Sequence, residues 1–101
     1  MAFKLNELSE AVVLCTGYGV TQTPALNSAK LAEIYGQQKG AELFNDVLRL
    51  TNEAAQIQID WLNSDLEAAG KTVHVEMHNR YPQLDSQALD AIAWKFTYDW
   101  R

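Results

Sequence analysis

A single cysteine, Cys15, means that no disulfide can form within the chain. It is read as a small buried hydrophobe in a reducing compartment. Two prolines and five glycines leave no room for a low-complexity linker. The 101 residues are therefore read as one helical domain, 1–101, long enough to build a core without metal or disulfide. No apolar run approaches the roughly 20 residues that span a bilayer, so no membrane association is expected. The stretch A11-V12-V13-L14-C15 is not expected to be an export or lipidation signal either. Glu7 and Glu10 precede it where positive charge is wanted, and Leu14 stands where lipidation wants a small residue. The chain is expected to be cytoplasmic.

Basic residues are also scarce. Eight Lys and Arg face thirteen Asp and Glu, for a net charge of −5. The eight are scattered from Lys4 to Arg101, whereas phosphate binding needs them clustered, so no nucleic-acid partner is expected. Catalytic motifs are lacking. T16-G17-Y18-G19 has no membrane helices around it, and Gln22 replaces the third glycine of a dinucleotide fingerprint. There is no P-loop and no nucleophile elbow, and Cys15 has no charged neighbour arranged to lower its pKa.

Both histidines lie in V73-H74-V75-E76-M77-H78. On a helix His74 and His78 share one side, and on a strand Glu76 joins them, so a metal is conceivable in either geometry. The helical zinc motif H-E-x-x-H needs glutamate directly after the first histidine, where this chain has valine. A third ligand among Cys15, Asp85 and Asp90 is not positioned by any pattern. The preferred reading puts Val73, Met77 and Tyr81 toward the core and the histidines toward solvent. No metal or other cofactor is expected, and the alternative is a small metal-dependent enzyme centred on His74 and His78.

What is present is helical patterning. Apolar positions predict a first helix over residues 5–16, with Asn6 or Ser9 as cap, then a loop from Gly17. Thr23-Pro24 reads as the start of a second helix that Gly36 stops after Tyr35. From Asn45 the chain falls into sevens: NDVLRLT, NEAAQIQ, IDWLNSD, LEAAG. Asp46, Glu53, Asp60 and Glu67 recur in second place, with Val47-Leu48, Ala54-Ala55, Trp61-Leu62 and Ala68-Ala69 behind them. That recurrence predicts one unbroken helix from about 41 to 69, stopped by Gly70, with the carboxylates in a ridge. At 1.5 Å per residue it would be about 43 Å long, more than a compact chain of this size covers, which favours a homodimer. A helix ending near Tyr81, before Pro82, and a last one capped by Asp85 or Ser86 complete the pattern.

The expected fold is all-α, an elongated bundle of about five helices with one long central helix. The alternative is α+β, with short strands near 72–78 and 94–100. The expected function is non-catalytic: a small acidic regulatory, inhibitor or immunity-like protein that binds a protein partner, with basic surfaces the easier fit. Its contact residues would be Asp46, Glu53, Asp60 and Glu67 on the acidic ridge, and Trp94, Tyr98 and Trp100 on the aromatic last helix, since tryptophan and tyrosine are favoured interface anchors.

Overall fold

The protein is described here by a computed structural model covering residues 5–100. Lys4, Arg101 and the side chains of Leu5 and Asn6, and with them the expected Asn6 cap, lie outside the described residues. Five helices and no strand make up the described chain: α1 (Leu5–Thr16), α2 (Ser28–Tyr35), α3 (Gln37–Ala55), α4 (Leu66–Arg80) and α5 (Ser86–Asp99). Residues 72–78 and 94–100 lie in α4 and in α5 with its cap, so the strand alternative fails at both places.

Short polar side chains start three of the helices. The Asn27 carboxamide oxygen accepts from the Lys30 N–H at 3.1 Å. Asp65 accepts from Ala68 at 2.8 Å, and Asp85 from Ala88 at 2.9 Å. Each side chain takes up an N–H that the first helical turn leaves unpaired. Gly36, at φ 89°, separates α2 from α3 in a backbone region that other residues rarely adopt. Gly40, inside α3, has a different role. A Cβ there would lie 2.7 Å from the Leu31 carbonyl oxygen, so its hydrogen lets α2 and α3 pack backbone to backbone.

The predicted second helix begins later than Thr23. Residues 24–27 form no helix, because the N–H groups of Ala25 and Asn27 donate to the Thr16 and Cys15 carbonyls at 3.1 and 3.0 Å. These bonds satisfy the last carbonyls of α1 and leave Asn27 to cap α2. Ser9 is likewise no helix cap. It is buried on α1, and its hydroxyl oxygen accepts from the Asp85 N–H at 3.0 Å, fastening the start of α5 to α1.

The largest correction concerns the long helix. No rod runs from 41 to 69: α3 ends at Ala55, residues 56–65 form a turn-rich connection, and α4 starts at Leu66. Within the connection the Asn63 side chain donates to Asp60 at 2.7 Å, and the Asn63 N–H donates to the Asp60 carbonyl at 3.1 Å. Aspartate, asparagine and serine compete with helical backbone bonding in this way. Gly70, expected as a stop, lies inside α4, where an added Cβ would meet the Thr97 methyl group of α5 at 2.9 Å.

The core draws on every helix. Val12 and Cys15 of α1, Leu31 of α2, Leu43, Val47 and Leu50 of α3, Val73 and Met77 of α4, and Leu89, Ile92 and Phe96 of α5 are all buried. Helix α5 packs on α4, α1 and α3, and α2 lies on α3 and α1. The extents are 44 × 28 × 19 Å and the radius of gyration is 13.3 Å. That radius is near the ~13 Å of a compact 100-residue domain. Helix α3 has 19 residues, about 28 Å at 1.5 Å per residue. It fits within the globule, so the argument from length for a second copy lapses.

Candidate functional site

The four carboxylates of the expected ridge sit on three different elements. Asp46 and Glu53 are on α3, Asp60 is in the 56–65 connection, and Glu67 opens α4. Three have cations of the same chain beside them: Asp46 with Arg49 at 2.7 Å, Glu53 with Arg80 at 2.9 Å, and Glu67 with Lys71 at 3.8 Å. Asp60 accepts from Asn63. No continuous acidic helix face exists, because the helix that would have carried it is broken.

Glu53 has a structural role instead. It accepts from the Tyr81 hydroxyl at 2.6 Å as well as from Arg80, whose Nε also donates to Glu76 at 3.1 Å. The end of α3 is thereby tied to the end of α4. The Tyr81 hydrogen bond first, and Arg80 second, hold the Glu53 carboxyl below its ordinary range. The same bond to Glu53 pushes the Tyr81 phenol upward.

On α4, Val73 and Met77 are buried, Tyr81 is half-buried and His78 is exposed, as the helical reading expects. His74 Nε2 lies 3.1 Å from Asp90 Oδ1 on α5. Cys15 lines a different depression from His74, and Asp85 is engaged as the α5 cap. Among the described residues no three His, Cys, Asp or Glu side chains gather as metal ligands, so the third ligand is not supplied there. Cys15 is buried, and that burial raises its thiol pKa, with the Asn27 backbone N–H and Lys95 opposing in part.

The aromatic residues of α5 divide by depth. Phe96 belongs to the core, and Trp94 meets Tyr18 edge to face with ring centres 5.6 Å apart. Tyr98 and Trp100 are 38% and 54% exposed. The ring of Trp100 touches both Phe96, at 6.2 Å, and Trp61 of the 56–65 connection, at 5.4 Å. Trp61 is itself 41% exposed, and its chain neighbour Leu62 is 96% exposed. A row of rings thus leads from the core to the surface and ends beside an unsheltered leucine. Isolated surface hydrophobes are ordinary, but large apolar side chains grouped in this way mark interaction surfaces.

Pattern reading missed Trp61 and Leu62 by placing them on the inner face of a helix. The adjacent Asn63-Ser64-Asp65 was the available signal, because it reads as turn followed by cap. Among the described residues no helix is long and apolar enough to cross a membrane. No family model matches the chain, and no curated protein or solved structure is significantly similar to it.

Proposed function

We propose that the protein is a non-catalytic protein–protein interaction module of the small acidic regulatory type, acting in the cytoplasm. Its contact surface is centred on Trp61, Leu62 and Trp100, where the end of α5 meets the 56–65 connection, with the part-exposed Tyr98 of α5 two residues before Trp100. The observation that supports this reading most is the half-exposed Trp61–Trp100 pair beside Leu62. Interface anchors that lose their remaining water on binding are enriched in tryptophan. Asp99, beside Trp100, is already paired with Lys95, but Asp60, which adjoins Trp61 in the chain, and the net charge of −5 favour a partner that sets basic side chains around an apolar centre. The other ridge carboxylates, held by cations of their own chain, contribute to this surface through overall charge alone.

The test begins with capture of a partner from the native host and titration of that purified partner. Replacing Trp61 and Trp100 together by alanine is expected to weaken binding at least about thirty-fold, the loss of a central anchor. Neutralising Asp46 and Glu67 is expected to weaken it much less than the double tryptophan change, because they act through overall charge alone. Unchanged affinity of the double tryptophan variant would refute the reading. Sedimentation at micromolar concentration asks whether the partner is a second copy. A dimer of the 11.4 kDa chain that the tryptophan variant dissociates would identify it so.

A further inference from the structure

Away from the aromatic surface, the end of α1, the 17–27 connection and the start of α2 enclose a cleft of about 460 Å³. That volume falls within the ~300–1,000 Å³ of ordinary small-molecule sites. Val13, Leu14 and Tyr18 give it largely hydrocarbon walls, while Val20, also on its lining, is 88% exposed. Three of its polar side chains are already engaged within the chain. The Thr16 hydroxyl donates to the Val12 carbonyl at 2.9 Å, and the Thr21 hydroxyl to the Thr23 carbonyl at 2.8 Å. The Asn27 oxygen accepts from the Lys30 N–H as the α2 cap.

Lys30, also on the cleft's lining, is different. Lys39, Arg49, Lys71, Arg80 and Lys95 are all paired with carboxylates, on Glu7, Asp46, Glu67, Glu53 and Asp99 in turn. Among the described residues Lys30 is the one Lys or Arg with no carboxylate partner. In a chain rich in acidic groups, the unpaired cation belongs to a residue that lines an apolar cleft. It also belongs to the first turn of α2, whose N-terminal dipole favours negative charge.

We propose that this cleft binds an aliphatic carboxylate, with the alkyl chain against Val13, Leu14 and Tyr18 and the carboxylate on the Lys30 ammonium. The hydrocarbon walls select the tail, and the one unpaired cation selects the sign of the head group. A neutral alcohol of equal length gains only the first contribution, and an alkylammonium is repelled by the second. The site is separate from the aromatic surface, so it stands or falls independently of the partner reading.

Calorimetric titration of the full chain with octanoate, decanoate and dodecanoate, each below its micelle threshold, tests the proposal. Amide NMR locates the site. One saturable site is expected, tightening about four-fold for each added methylene, with shifts centred on Gly17, Val20, Thr21 and Ala25. Lys30→Gln is expected to weaken decanoate about ten-fold and to leave decanol unchanged. Decylammonium is expected to bind more weakly than either. Absence of saturable binding, shifts centred on Trp61 and Trp100, or equal weakening of decanoate and decanol by Lys30→Gln would each overturn it.

Discussion

Residues 45–55 and 56–65 carry the same seven-residue alternation, yet the first stretch is helix and the second is not. In the first, Val47, Leu50 and Ala54 are buried against the other helices. In the second, Trp61 and Leu62 occupy the corresponding apolar places and both are exposed. The two stretches differ in what accompanies the pattern. Arg49, Leu50, Ala54 and Ala55 favour helix, whereas Asp60, Asn63, Ser64 and Asp65 offer side-chain oxygens that bond local backbone or cap the next helix. A hydrophobic period states which residues would share a face if a helix formed. Cap and turn chemistry decides whether it does.

The widest separation between the two stretches is expected from their leucines. Leu50→Ala empties a buried site and should lower stability by about 2–5 kcal/mol in urea unfolding. Leu62→Ala removes a side chain already in water and should stay within about 0.5 kcal/mol. Equal losses would mean that Leu62 is buried and the comparison is false.

The carboxylates sharpen it next. Asp65→Ala removes the α4 cap and should destabilise by about 1 kcal/mol. Asp60→Ala, although it belongs to the acidic series, should have less than half that effect, because it breaks only exposed local bonds.

Glu53→Gln should lower stability at neutral pH by about 1 kcal/mol, since the side chain is partly solvated and its bonds to Tyr81 and Arg80 are correspondingly weakened. The folded-state pKa of Glu53 is depressed. Its contribution is therefore complete above the unfolded carboxylate value and is lost as pH falls through the folded one. Thermal unfolding of wild type and variant should converge as the pH is lowered across that window. A constant gap down to acid would show that the charge of Glu53 is irrelevant. Smallest of all, Glu67→Gln should leave unfolding unchanged, because the Glu67–Lys71 pair is highly exposed.

Much of the fold was legible in the sequence. Gly36 ends α2, Asp85 caps α5, and Leu89, Ile92 and Phe96 point inward, because glycine geometry, capping and helical periodicity act over a few neighbouring residues. The start of α2 was not legible. It depends on Ala25 and Asn27 bonding the end of α1, a contact that a local pattern does not contain. Glu53 was visible as an acidic residue but not as the link to Tyr81, 28 residues away. Of the expected contact residues, Tyr98 and Trp100 are at the surface, Trp94 is drawn against Tyr18, and Trp61 joins Trp100 only because the chain turns.

Backbone carbon chemical shifts across residues 41–69 test the central point most directly. The predicted result is helical shifts through Ala55, their loss between Ile57 and Ser64, and their return from Leu66 onward. Uninterrupted helical shifts from 41 to 69 would contradict the break, remove the setting of the Trp61–Trp100 pair, and restore the single acidic rod.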